Sequence, residues 1–261
     1  MNRKTSQKEG PLKRITKYFF ILPIILLLVS CAGGVKSEKK DKPLSMEEHF
    51  QLAFDASERG NLGEAVSEYE KVLDMDPKQA RAHLNLGTVY GRQGKWGKEV
   101  SEYKRAIDID PNLAEAYFNL GVAYTERRDL DEAIAQYQKA LQINPNYVEA
   151  HNNLGVLFFK RGKLDEALSE YQKAIEIKPD YAKGYYNKGS IFYQKKNLEE
   201  AIVSFEKALE VQPNYAWAHY ALAAAYYEKQ EFKLAIEHCD QAQKLGRVPD
   251  PKFLERLKSY R

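Results

Sequence analysis

Cysteine is almost absent from this chain of 261 residues, with Cys31 and Cys239 the only two. Paired-cysteine metal motifs are therefore excluded, and no internal disulfide can form if Cys31 is consumed by N-terminal processing. The chain also lacks a His-Glu-x-x-His sequence and a glycine-rich phosphate loop. Long hydrophobic runs are missing too. The apolar stretch Tyr18 to Val29 holds 12 residues and is broken by Pro23, against the roughly 20 that a membrane-spanning helix needs. There is no strong excess of one charge: 40 basic and 37 acidic residues give a net of +3. What is present, 44% hydrophobic and 30% charged residues, is enough for a packed core and argues against wholesale disorder.

The small positive balance is concentrated at the start. Arg3, Lys4, Lys8, Lys13, Arg14 and Lys17 precede the apolar stretch, an order that reads as a secretory signal peptide over residues 1–30. Without those residues the chain keeps 34 basic and 36 acidic side chains, a net of −2, so net charge gives no support to nucleic-acid binding. Leu28-Val29-Ser30-Cys31 resembles the lipobox of bacterial lipoproteins. The resemblance implies cleavage before Cys31, acylation of its sulfur and modification of its amine. The alternative is an ordinary signal peptide or an uncleaved anchor with an incidental cysteine. Several acyl chains anchor stably where one is marginal. Ala32 after the cysteine, in place of aspartate, favours the outer membrane under the enterobacterial sorting rule. Residues 31–45 then read as the lipidated cysteine and a flexible tether. It ends in Ser45 with Glu48 three places on, the pattern of a capping box.

The rest of the chain is periodic. Pro77, Pro111, Pro145, Pro179 and Pro213 recur every 34 residues, which marks an array of one supersecondary unit stacked on its copies. With proline as the thirty-second residue of each unit, six units follow: 46–79, 80–113, 114–147, 148–181, 182–215 and 216–249. Each carries two helical apolar stripes. In the third unit these are Tyr117, Leu120, Gly121 and Tyr124, then Leu130, Ala133, Ile134, Tyr137, Ala140 and Leu141. Small residues at positions 8, 20 and 27 let helices approach closely, and Asp110 or Asn144 before proline helps end a helix.

This pattern of aromatic, Leu, Gly/Ala, Tyr, Ala, aromatic, Ala and Pro resembles the tetratricopeptide repeat. The resemblance covers residues 46–249. It implies an all-α, right-handed superhelical solenoid of six helix-turn-helix units, with residues 250–261 forming a short capping helix through Phe253, Leu254, Leu257 and Tyr260. Ala56, Glu99, Lys188 and Arg247 depart from the pattern, standing where an aromatic, alanine, leucine and proline are usual.

No catalytic constellation emerges, and neither a cofactor nor a metal is expected. His49, His83, His151 and His219 all occupy position 4, where tyrosine also occurs. They lie in separate units, whose packed helices stand roughly 8–10 Å apart, and so cannot converge on one zinc. Cys239 replaces the position-24 aromatic and reads as a buried, inert thiol. Asp131-Glu132 and Asp165-Glu166 read as solvated outer-face charges.

Helix geometry leaves a second face. At 100° per residue, positions 2, 5, 6, 9, 12 and 13 of each first helix lie opposite the buried stripe, and in tetratricopeptide superhelices this face lines the concave groove. Asn85, Asn119, Asn153 and Asn187 share position 6. They resemble the asparagine ladder of O-linked N-acetylglucosamine transferases, whose amides bind the backbone of an extended peptide, since an amide both donates and accepts. The alternative is a consensus residue that orients helices or bonds water. Phe159, Tyr186, Tyr193, Trp217, Tyr220 and Tyr227 make the C-terminal half of the face aromatic, as interface anchors often are, although part of this set can pack between helices instead. A clamp for a terminal carboxylate is disfavoured by Phe50, Leu84, Phe118, Asn152, Tyr186 and Tyr220 at position 5.

The expected function is a non-enzymatic adaptor on the periplasmic side of the outer membrane, holding a protein or extended peptide in its groove. It resembles tetratricopeptide lipoproteins of the envelope, the pilus-biogenesis pilotins slightly more than others. The alternative is a cell-wall or glycan-binding lipoprotein using the aromatic groove.

Overall fold

The computed structural model describes residues 43–261. The expected signal segment, Cys31 and most of the tether lie outside them. The described residues form thirteen helices and no strand. The first helices of the six units are α1 (Met46–Glu58), α3 (Ala80–Arg92), α5 (Ala114–Arg127), α7 (Val148–Lys160), α9 (Ala182–Gln194) and α11 (Ala216–Glu228). Their partners are α2 (Leu62–Met75), α4 (Trp96–Ile109), α6 (Leu130–Ile143), α8 (Leu164–Ile177), α10 (Leu198–Val211) and α12 (Phe232–Lys244), and α13 (Pro251–Lys258) follows. Each helix packs on the next in sequence, the quasi-one-dimensional arrangement of a solenoid.

Local signals set the boundaries. Ser45 Oγ accepts the Glu48 N–H at 3.3 Å while Glu48 Oε2 accepts the Ser45 N–H at 2.7 Å, closing the capping box. Asp76, Asp110 and Asn144 end α2, α4 and α6, and each side chain accepts the N–H two residues on, at 3.0, 3.0 and 3.1 Å. Between the helices of every unit, one residue adopts the left-handed conformation. Gly60, Gly94 and Gly162 do so freely, while Arg128, Lys196 and Gln230 take φ of 65°, 60° and 62° at the equivalent place. The register imposes this turn whether or not glycine is there to ease it.

The core rests on one repeated contact. Gly87, Gly121, Gly155 and Gly189 on first helices face the rings of Tyr103, Tyr137, Tyr171 and Phe205 on second helices. A Cβ at any of these glycines would come within 2.8 Å of the ring. The four rings are buried, and the fully buried Ala106, Ala140, Ala174 and Ala208 let the next unit close over them. Lys188 stands in the leucine column half-buried. Its ammonium reaches Gln172 Oε1 at 2.9 Å, so the stem can fill part of a leucine's place while the charge finds a partner.

The histidines fasten units together. His83 Nδ1 meets Glu102 Oε2 at 2.6 Å and its Nε2 meets the Pro77 carbonyl at 3.1 Å. His151 does the same with Glu170 at 2.5 Å and Pro145 at 2.9 Å. Each ring thus joins its own second helix to the end of the preceding unit. His49 pairs with Glu68 at 2.5 Å. In the last unit the acid is replaced, and His219 Nδ1 faces His238 Nδ1 at 2.9 Å. Burial, and then the charge of His219, hold His238 below its ordinary value. Among the described residues no group of three His, Cys, Asp or Glu side chains could hold a metal ion.

Two predictions follow from this packing. Gly121→Ala overpacks the Tyr137 seat and lowers unfolding free energy by about 1–3 kcal/mol despite alanine's better helix propensity; urea denaturation with unchanged or raised stability would refute the seat. The unfolded chain binds a proton at His238 more readily than the folded chain. Stability tied to this residue is therefore lost as pH falls below the ordinary value of 6.5. His238→Glu, which restores the pairing of the other units, is expected to flatten that loss in melting curves taken between pH 7 and pH 5.

Candidate functional site

First helices touch one another across neighbouring units, as α1 with α3, α3 with α5, α7 with α9 and α9 with α11, whereas no two second helices come as close. The first helices therefore lie on the inner side of the curve, and the face opposite their buried stripe lines a groove.

The four asparagines of that face are all half-buried but not equivalent. Asn85 sits beside the Tyr69 hydroxyl of the preceding unit, and Asn153 Nδ2 reaches the Tyr137 hydroxyl at 3.4 Å. Asn187 donates to Asn152 Oδ1 at 2.8 Å. Where the preceding ring is Phe205, without a hydroxyl, the position holds Ala221. These contacts match the helix-orienting alternative for three of the four amides. Asn119 instead lines an open cavity.

The aromatic set divides as well. Tyr186 packs between Phe205 and Tyr215, with ring centroids 5.8 and 5.3 Å apart. Tyr220 and Tyr227 meet Phe253 at 5.8 and 5.5 Å, beneath α13. Phe159 is half-buried against the unit-four and unit-five core. The Tyr193 hydroxyl donates to Glu228, which also holds Lys196. Trp217 remains 48% exposed. Its inner face carries Arg247, whose guanidinium lies 3.5 Å from the ring centroid and 5.1 Å from that of Tyr220. The arginine that departs from the proline column is a cation–π brace for the exposed indole. At the other end of the array Phe54 is 46% exposed at position 9.

The cavity at Asn119 has a volume of about 310 Å³ and is lined by Thr88, Gly91, Arg92, Glu99, Tyr103, Asn119, Val122 and Glu126. Two departures from the repeat create it. Glu99 occupies the position that is Ala65, Ala133, Ala167, Ala201 or Ala235 in the other units. Gly91 occupies the position that is Ser57, Thr125, Phe159, Tyr193 or Tyr227. A Cβ on Gly91 would lie 2.5 Å from Glu99 Oε1, so the missing side chain is what lets this carboxylate face the groove. Burial, and then the charge of Glu126, push the Glu99 carboxyl above its ordinary range.

The comparisons agree with this geometry. The family described as "TPR repeat" matches residues 57–94, 100–127, 123–161, 157–195 and 189–230, and "Tetratricopeptide repeat" matches residues 80–113. The chain belongs to the tetratricopeptide repeat family. Among solved structures, MamA protein is 30% identical, with 66% of this chain and 93% of that one covered and a TM-score of 0.57. YrrB, described as a tetratricopeptide repeat protein with an unusual peptide-binding site, is 22% identical over 73% of this chain and 97% of its own, TM-score 0.59. PilF of Pseudomonas aeruginosa is 19% identical over 83% and 97%, TM-score 0.72. No curated protein matches the chain.

Tetratricopeptide repeats are protein–protein interaction scaffolds, and members of the family are generally non-catalytic. Sequence reasoning passed over two parts of this tetratricopeptide array. One is the row Tyr147, Tyr181 and Tyr215 just before first helices, each pushed up to about 12 chiefly by burial. Its signal was a tyrosine recurring two residues after proline. The other is the Glu99–Gly91 pair, visible only when two departures are read together.

The folded chain keeps a proton on Glu99 at pH values where the unfolded chain has released it. Stability tied to Glu99 therefore falls as pH rises from the ordinary value of 4.5 through the raised one. Glu99→Ala is expected to raise the melting temperature at pH 7, with a gain that shrinks as pH drops below 4.5. An equal gain at every pH would contradict this.

Proposed function

We propose that this chain is a non-catalytic adaptor, anchored through lipid on Cys31 to the periplasmic face of a bacterial outer membrane, that holds an extended segment of a partner protein in its groove. The observation that carries the groove reading is Trp217, a large aromatic left 48% exposed on the inner face and braced there by Arg247. A side chain of this kind gains by being covered, and tryptophan dominates many interfaces. The tetratricopeptide family supports a binding rather than a catalytic role. The resemblance to tetratricopeptide lipoproteins of the envelope supports an envelope or pilus assembly setting, and PilF shares the fold over 83% of this chain. The lipobox-like Leu28-Val29-Ser30-Cys31 supports the anchor.

Titration of the purified chain with unfolded peptides from secretins and wall hydrolases, and separately with wall glycan fragments, tests the reading. Saturable peptide binding is expected. Trp217→Ala should weaken it by about 2 kcal/mol, roughly thirtyfold, and Asn119→Ala should weaken it with no loss of melting temperature. Saturable glycan binding without peptide binding would replace the adaptor with a wall-binding protein. Labelled palmitate should enter the native chain in cells and not Cys31→Ser.

A further inference from the structure

The Glu99 cavity is unlike the rest of the groove. It opens between α3, α4 and α5, and Glu99 and Glu126 bring it two carboxylates from different helices. Neither forms an ion pair among the described residues. The one cation in the lining is Arg92, and it is engaged elsewhere: its Nη1 donates to the Ser57 carbonyl at 2.7 Å and to Ser57 Oγ at 2.9 Å. Arg127, the neighbour of Glu126 in the chain, lies over the Trp96 ring at 4.8 Å. The Tyr103 hydroxyl stands 3.2 Å from Thr88 Oγ1, and the Asn119 amide forms no side-chain hydrogen bond among the described residues. Val122 and the edge of Tyr103 supply apolar wall.

We propose that this cavity is the specificity pocket of the groove and receives a lysine or arginine side chain of the extended partner segment. This rests on the reading of the inner face as a peptide groove. The chemistry of the lining favours a long side chain over a bare ion. The apolar wall suits an alkyl stem, the carboxylates suit its charged head, and the amide and hydroxyl can meet the donors left over. The volume greatly exceeds that of one water, about 30 Å³. Charge complementarity selects the occupant: Glu99 is half-buried at a core position with Glu126 near it and only the Tyr103 hydroxyl to offset its lost hydration, so a cationic head is the partner that the lining lacks. The other five units have alanine here, so the fold does not require the glutamate.

The test uses the full chain to select binders from a random twelve-residue peptide library. Selected peptides are then compared by fluorescence anisotropy with versions carrying norleucine in place of the enriched basic residue. On the native chain the norleucine exchange is expected to weaken binding at least tenfold, and on Glu99→Ala less than twofold. The difference should fade as pH is lowered into the carboxylate range. Glu99→Ala folds by the precedent of its neighbours, and its melting curve verifies this. If the selected peptides show no basic preference, or the exchange has the same effect on Glu99→Ala as on the native chain, the pocket proposal fails. The groove reading survives that result as long as Trp217→Ala still weakens the same peptides. If no peptide is enriched, or none responds to Trp217→Ala, the groove reading fails and takes the pocket with it.

Discussion

The array hangs on an aromatic ring laid against a glycine in each of its four central units. Tyr103, Tyr137, Tyr171 and Phe205 each lie where a single added carbon on the facing first helix would collide. That closeness fixes how far apart the two helices of a unit stand. The fully buried alanines one turn on fix the distance to the next unit. Two short spacings repeated along a chain leave little freedom in the angle between units, so a local packing rule becomes the curvature of a whole array. The groove is the inner side of that curve.

A framework this repetitive makes its exceptions informative. Six copies of one unit provide six readings of every position, and a residue that differs from five others is either tolerated or put to use. Lys188 is tolerated, with its charge settled on Gln172. Arg247 and Trp217 are coupled, the guanidinium lying on the indole. Glu99 and Gly91 are coupled too, because the carboxylate can face the groove only where the side chain beside it is missing. The third kind of exception is His238. It breaks the histidine–glutamate fastening used by units one, two and four and sets two imidazoles face to face in the last unit, where burial and the charge of His219 hold His238 below its ordinary value.

The helical pairs, their boundaries and the core columns were legible in the sequence because they depend on period alone. Proline every 34 residues and small residues at position 8 needed no coordinates, whereas the ring that each glycine faces came only with the structure. The histidines could be placed in one column of separate units but not given partners. The glutamates 19 residues on were plain to see, yet the spacing has no meaning until α4 and α8 are laid beside α3 and α7. The asparagines were legible only in part for a related reason. A shared face was readable, but whether an amide was free depended on partners in the preceding unit, the Tyr69 and Tyr137 hydroxyls and the Asn152 amide. The cavity was the least legible feature, since it arises from a side chain that is absent at Gly91.

The central claim is that a partner chain lies along the inner face of the first helices. Placing a photo-crosslinking benzoylphenylalanine at Val122, in the groove, and at Glu132, on the exposed side of α6, measures it most directly when each chain is irradiated with a bound peptide. The account predicts crosslinks to the peptide from position 122 and none above background from position 132. Crosslinks from position 132 with none from position 122 would contradict it.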